Sequence, residues 1–193
     1  MKNCSDSRIK VIEISEEISL KQIEFSDISI IYSIVESQKA YQGRWIPFAN
    51  YTIGNEPEQL VVTTMNMADL ISGHMFMIKN EDEFAGLVGL INLDKNNKKA
   101  EIGYWISSSL QEKEIAVRSV IALMDFAYDE LSLHKIHIKC PVGNYTVSHI
   151  PRQIGYYFEG IDRAGELMPD NTFVDLEIYG MLKSDYDKMK WEQ

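Results

Sequence analysis

Apolar residues alternate or recur at helical spacing along most of the chain, and these two periods predict its elements. Alternation within Ile9–Ile23 predicts one or two early strands. A helix that Ser26 can cap follows and runs through Gln38. Apolar residues at helical spacing then predict a second helix over Glu56–Gly73, which the glycine ends.

The middle of the chain predicts three antiparallel strands in a meander. The first two cover His74–Ile78 and Phe84–Leu93, with a turn-rich connection at residues 80–82 between them. A turn over Asp94–Lys98 precedes the third strand, which begins at Ala100.

The last part of the chain alternates between helices and strands. Helices are predicted over Ile115–Leu131 and Asn144–Ile154, with a strand over Lys135–Cys140 between them. Two more strands follow, over Tyr156–Gly160 and Phe173–Leu182. This order predicts a single α/β domain over residues 1–193, with a mixed sheet and helices on both faces.

Composition narrows the function classes. A net charge of -10 over 193 residues argues against a broad basic face for nucleic acid or an anionic membrane. Two cysteines, Cys4 and Cys140, are too few for a secreted disulfide framework, and no apolar run is as long as a membrane span. We therefore expect a soluble cytoplasmic protein. The four histidines show no paired metal spacing, so we predict no metal site.

Five segments in fixed order carry a family resemblance. They are WIPF at Trp45, GLVGLINLDKNNKKAEIGYWI from Gly86, KIHIKCPVGN from Lys135, HIPRQIGYYFEG from His149, and VDLEIYGMLKSDY from Val174. With these segments the chain resembles the RimJ/RimL-type acetyltransferases of the GNAT superfamily over nearly its whole length. The resemblance implies the GNAT fold, with a mostly antiparallel sheet of about seven strands.

The resemblance also implies acetyl-coenzyme A (acetyl-CoA) as co-substrate. A pyrophosphate is bound well by backbone N–H groups that converge at a helix N-terminus, and the turn before the helix at Ile115 is placed to supply them. By resemblance, the residues that bind the coenzyme are Tyr104, Trp105, Ile106, Gln111, Glu112, Lys113, Glu114, Ile115, Ala116 and Asn144.

Two positions depart from the family pattern. Glu114 stands where relatives have glycine, and Val147 stands where they have serine. The Glu114 carboxylate either repels the phosphates, by about 4 kcal/mol at 4 Å and an effective dielectric of 20, or points to solvent from the helix N-terminus. Asn144 matches the pattern and is expected to bond the coenzyme or to cap its helix.

Acetyl transfer to an amine needs a base, a donor to the developing oxyanion and an acid for the leaving thiolate. By resemblance, Glu101 is the base, and backbone N–H groups near Tyr104–Ile106 are the oxyanion donors. Pro151 stands where many relatives place tyrosine, so the acid is left open among Ser148, Tyr156 and Tyr157. The acceptor pocket is expected around Trp45, Phe48 and Asn92.

The sequence thus predicts an N-acetyltransferase that moves acetyl from acetyl-CoA to a primary amine by direct attack. The acceptor is either a protein N-terminus, for instance of a ribosomal protein, or a small-molecule amine. The alternative is a non-catalytic GNAT-fold binding protein whose coenzyme site has degenerated at Glu114 and Val147. Oligomeric state stays open, with a homodimer through an edge strand as one option.

Overall fold

The computed structural model describes residues 10–37, 74–81, 83–107, 110, 114–168 and 170–191. Within these residues the chain forms eight strands and four α-helices around one sheet. The strands are β1 Val11–Glu13, β2 Ile18–Gln22, β3 Met75–Asn80, β4 Glu83–Asp94, β5 Lys99–Ile106, β6 Lys135–Pro141, β7 Tyr157–Leu167 and β8 Phe173–Leu182. The helices are α1 Ile28–Ser37, preceded by a 3-10 turn over Phe25–Asp27, α2 Ile115–Asp129, α3 Tyr145–Ile154 and α4 Lys183–Trp191.

The strands lie in the order β1-β2-β3-β4-β5-β6-β8-β7. Neighbouring strands are antiparallel except β5 and β6, which are parallel and joined through α2. Parallel neighbours need such a crossover, and it places the N-terminus of α2 near the carboxyl end of β5. The site described below is built at this parallel pair.

Side chains alternate between two faces of the sheet, and each face has its own apolar core. The first face, called the α2 face, packs against α2 and α3 and includes Phe76, Val88 and Ile102. The opposite face, called the α1 face, packs against α1 through Met75, Leu87 and Trp105 among others.

The described structure confirms the predicted meander, the helices at Ile115 and Asn144, and the strand over Phe173–Leu182. It differs in the strand after Gly155, which runs to Leu167, and in having eight strands in the sheet rather than about seven. The predicted helix over Glu56–Gly73 lies outside the described residues.

Helix α4 is not predicted by the apolar pattern, because it is mostly charged and has little apolar periodicity. Tertiary packing stabilises it instead. Tyr186 is 1% exposed, and its hydroxyl donates a hydrogen bond of 3.0 Å to Asp125 on α2. Within the part of the chain that the structure describes, no helix is long and apolar enough to cross a membrane.

Candidate active site

The parallel strands β5 and β6 pair only at their first residues and then diverge. The last pair joins Glu101 to His137, although β5 continues to Ile106 and β6 to Pro141. We call the space between the diverging halves the gap. It resembles the crevice that open α/β sheets use for ligands at the carboxyl ends of parallel strands.

Two hydrogen bonds at the ends of β5 show which of its main-chain groups face the gap. The carbonyl of Lys98 accepts from Lys135 on the β6 side, whereas the N–H of Ser107 donates to Ala85 on the β4 side. Since peptide groups alternate along a strand, even-numbered residues of β5 turn their main-chain groups toward β6. The N–H of Tyr104 therefore points into the gap.

The N-terminus of α2 lies at the carboxyl end of β5, and Glu114 is its N-cap residue. Glu114 has a left-handed backbone with φ 53°, a conformation that glycine adopts more readily than glutamate. Its side chain is exposed and makes no capping hydrogen bond, while its carbonyl accepts from the N–H of Arg118. Ile115, the next residue, is buried in the core, and Ala116 packs against it.

Asn144 caps the second helix at the gap, α3. It is 8% exposed, and its side-chain oxygen accepts a hydrogen bond of 3.4 Å from the N–H of Val147. The expectation that Asn144 caps its helix is confirmed. Gly155, with φ 93°, ends α3 in the left-handed conformation that glycine favours.

Tyr104 and Cys140 meet on the α2 face of the gap. The Tyr104 hydroxyl donates a hydrogen bond of 2.8 Å to the carbonyl of Val147 in α3. Burial, followed by the nearby Cys140 sulfur, raises the pKa of Tyr104 well above its ordinary value. Burial likewise raises the pKa of the Cys140 thiol to about 12, so the sulfur is a protonated thiol near neutral pH and not a nucleophile.

Glu101 lies on the α1 face, where pairing between β5 and β6 ends. Its side chain is 16% exposed and its Oε2 lies 3.2 Å from Nζ of Lys139 on β6. The side-chain amide of Asn92 on β4 donates to the same oxygen at 3.4 Å. The structure therefore brings together Glu101, the predicted base, and Asn92, a residue predicted to line the pocket for the acceptor amine.

A second carboxyl group lies near this pair. Glu166 on β7 is half-buried; burial and the Glu101 charge raise its pKa, while Lys139 opposes the shift. Neither Lys139 nor Glu166 is among the site residues predicted from the sequence. The alternating segment KIHIKC nevertheless places Lys135, His137 and Lys139 on one face of β6, and this alternation is the signal that the sequence carries for Lys139.

The remaining polar residues of this β6 face are also paired. Lys135 Nζ lies 2.6 Å from Glu159 Oε1, and His137 Nε2 lies 3.4 Å from Glu159 Oε2. Burial and the Lys135 charge lower the pKa of His137, so its imidazole is neutral near neutral pH.

The other predicted residues are distributed as follows. The side chains of Trp105 and Ile106 belong to the two cores, and the main chain of Trp105 faces β4 and not the gap. Ser148 is buried, Tyr156 is buried with no hydrogen-bond partner for its hydroxyl, and Tyr157 is 74% exposed on β7. Trp45, Phe48, Gln111, Glu112 and Lys113 lie outside the described residues. Among the residues that are described, no three metal-ligating side chains converge.

A comparison with known protein families identifies the family to which the chain belongs. Residues 18–157 match the family model described as an acetyltransferase (GNAT) domain. The chain belongs to the GNAT acetyltransferase family. As a GNAT enzyme it is an acetyl-CoA-dependent N-acetyltransferase that transfers acetyl to an amine.

Curated GNAT relatives match over almost the whole chain. A Bacillus subtilis (strain 168) protein named "Putative ribosomal N-acetyltransferase YdaF" is 29% identical over 92% of this chain and 98% of its own. The Escherichia coli (strain K12) "Ribosomal-protein-serine acetyltransferase" is 25% identical over 90% of this chain and 97% of its own.

A solved GNAT structure shares the fold. It is described as RimL, a ribosomal L7/L12 alpha-N-protein acetyltransferase in complex with coenzyme A, and it superimposes with a TM-score of 0.82 at 24% identity. The match covers 92% of this chain and 100% of that one. The predicted GNAT fold is thus confirmed.

Proposed function

We propose that this enzyme acetylates the α-amine of a protein N-terminus, with acetyl-CoA in the gap and Glu101 as the general base. The observation that carries the proposal is the position of Glu101. Its carboxylate lies on the α1 face where β5 and β6 separate, beside the gap into which the N–H of Tyr104 points.

The residues around the gap fit acetyl-CoA. The N–H of Tyr104 lies beyond the last pair of β5 with β6 and can donate to the acyl end of acetyl-CoA, as an unpaired strand position donates to another strand. The N-terminus of α2 offers its first N–H groups and the helix dipole to the pyrophosphate. Glu114 does not block those groups, because its side chain is exposed and makes no capping bond to them.

Each residue then has a chemical task. Acetyl-CoA supplies an activated acetyl group. Glu101 takes a proton from the acceptor amine, directly or through a water, as the amine nitrogen bonds to the acetyl carbon. The carbon–sulfur bond then breaks, and coenzyme A leaves with the bonding electrons as its thiolate. The N–H of Tyr104 stabilises the negative charge that develops on the acetyl oxygen. Lys139 and Asn92 hold the Glu101 carboxylate in place.

The charges around Glu101 do not favour a polyamine. Three carboxylates, Glu101, Glu159 and Glu166, stand beside three lysines, Lys99, Lys135 and Lys139, and His137 is neutral. These charges balance, so the described α1 face around Glu101 has no excess of negative charge to hold the several positive charges of a polyamine. Two relatives carry names that refer to ribosomal substrates, which agrees with a protein acceptor.

The acceptor class is tested with a panel under one set of conditions. Thiol release from acetyl-CoA is measured with three acceptors. They are a serine-initiated peptide that contains one lysine, the same peptide formylated at its α-amine, and spermidine. We expect the unblocked peptide to give the highest kcat/KM, and mass spectrometry to place the acetyl group on its α-amine.

Other outcomes separate the parts of the proposal. Acetylation of the blocked peptide at lysine, or a higher kcat/KM for spermidine, would overturn the choice of acceptor. Absence of acetyl-CoA binding in calorimetry would overturn the placement of the coenzyme in the gap.

A further inference from the structure

Helix α3 contains a proline in its interior, and this leaves one carbonyl without its regular donor. In an α-helix the carbonyl of Val147 accepts from the N–H of the residue four positions later. That residue is Pro151, which has no N–H. The Val147 carbonyl therefore needs a hydrogen bond from outside the helix, because a buried carbonyl without one is costly.

Tyr104 supplies that hydrogen bond from the other side of the gap. It lies three residues beyond the last pair of β5 with β6, and its hydroxyl donates to the Val147 carbonyl at 2.8 Å. Its phenol passes beside the Cys140 thiol of β6 on the way. One side chain thus connects the diverging half of β5 to α3.

The connection is independent of pH in the working range of an enzyme. Burial keeps the Tyr104 phenol protonated well above its ordinary pKa, so the hydroxyl remains a donor. The Cys140 thiol is protonated over the same range and adds no charge that would draw the hydroxyl away.

We propose that Tyr104 is a positioning residue for acetyl-CoA. Its hydroxyl donates to the Val147 carbonyl, which lacks a helical donor because of Pro151, and this hydrogen bond connects β5 to α3 and fixes the width of the gap. The inference rests on the proposed placement of acetyl-CoA in the gap. Tyr104 carries both this side-chain anchor and the N–H that points into the gap, so fixing the phenol also fixes the direction of that donor.

A double-mutant cycle tests the connection with Tyr104→Phe, Pro151→Ala and the double variant in the full chain. Unfolding by urea reports the hydrogen bond, and calorimetry with acetyl-CoA reports the gap. An alanine at position 151 gives the Val147 carbonyl a helical N–H donor. The stability lost on Tyr104→Phe should therefore be smaller in the Pro151→Ala background than in the wild type.

The affinity for acetyl-CoA should not be rescued by Pro151→Ala, because a helical donor to the Val147 carbonyl does not restore the connection between β5 and α3. Tyr104→Phe is expected to raise the Kd for acetyl-CoA roughly three- to tenfold in both backgrounds, the value of one net hydrogen bond. The KM for the acceptor amine should stay unchanged.

Tyr128→Phe is the matched control. The Tyr128 hydroxyl also donates at 2.8 Å to a main-chain carbonyl, that of Met181, and it is buried at the other end of α2. This variant should lose stability and keep the affinity for acetyl-CoA.

Three results would overturn the inference: an equal stability cost in both backgrounds, an unchanged Kd for Tyr104→Phe, or an equal rise in Kd for Tyr128→Phe. If the wild-type chain fails to bind acetyl-CoA, the proposed placement of the coenzyme is wrong. The unfolding data of the double-mutant cycle still report whether the Tyr104 hydroxyl is the donor to the Val147 carbonyl.

Discussion

Glu101 and Lys139 form an ion pair across the point where β5 and β6 separate, with Nζ of Lys139 3.2 Å from Oε2 of Glu101. The two residues belong to neighbouring parallel strands, and each lies on the α1 face. A base that accepts the amine proton gives up this ion pair as it becomes neutral. The lysine therefore orients the carboxylate before the reaction and is left with its charge when the proton has been taken.

Glu101→Gln should lower kcat about a hundredfold or more, the usual contribution of a general base. The glutamine keeps the size of the side chain and cannot take the proton. Affinity for acetyl-CoA should stay unchanged, because Glu101 lies on the α1 face and not among the coenzyme donors. Steady-state kinetics and calorimetry measure the two quantities.

Glu177→Gln is the control for that experiment. Glu177 is also 16% exposed and is also paired, with Arg152, but it belongs to β8 on the opposite face. Its loss should cost some stability and leave kcat in the wild-type range. If the two variants reduce kcat alike, Glu101 is not the base.

Glu114 combines two costs at the N-terminus of α2, and two substitutions separate them. Glu114→Gln removes the charge near the phosphates and should tighten acetyl-CoA binding severalfold, since about 1 kcal/mol of repulsion at 4 Å in water corresponds to that factor. Glu114→Gly also relieves the left-handed backbone, which costs a non-glycine residue roughly 1 kcal/mol or more.

Glycine also gains freedom in the unfolded chain, by about 0.4–1 kcal/mol, so the net stability of Glu114→Gly should change little. Its affinity should equal or exceed that of Glu114→Gln. Unchanged affinity in both variants would mean that the exposed carboxylate has no electrostatic effect on the coenzyme.

Glu166 predicts a specific pH dependence of stability. Its pKa in the folded chain is raised above the ordinary 4.5, chiefly by burial and then by Glu101. Between the ordinary pKa and the raised one, the folded state binds more protons than the unfolded state, so stability falls as pH rises through this window. Above it the full penalty for ionising Glu166 remains.

Glu166→Gln removes that penalty. The variant should have a higher Tm than the wild type at neutral pH, and the difference should disappear below the ordinary pKa of 4.5. Thermal unfolding across this pH range measures it. A gain that persists at low pH would show that the effect comes from packing and not from ionisation.

Much of the fold follows from local patterns, whereas much of the site does not. Apolar periodicity is sufficient to predict α2 and the strand over Phe173–Leu182, because packing against one core requires a regular spacing. The cap at Asn144 and the stop at Gly155 follow from local backbone chemistry in the same way.

The contacts of the gap depend on strand order and register, which local patterns do not encode. Tyr104 and Val147 are 43 positions apart in sequence, and only the parallel crossover through α2 brings them together. Lys139 and Glu166 reach Glu101 for the same reason. A sequence pattern shows which side chains share one face of a strand, but not which strand is its neighbour.

Asn144 has a confirmed cap and a predicted role toward the coenzyme, and these can be separated. Asn144→Ala should cost about 1 kcal/mol of stability, because the N–H of Val147 loses its side-chain acceptor. Asn144→Ser restores a capping oxygen without the amide. If Asn144 acts by holding the first turn of α3, the serine variant regains both stability and acetyl-CoA affinity, as measured by urea unfolding and calorimetry. A serine variant that is stable but binds acetyl-CoA as weakly as Asn144→Ala would instead assign the lost affinity to a direct contact of the amide with the coenzyme.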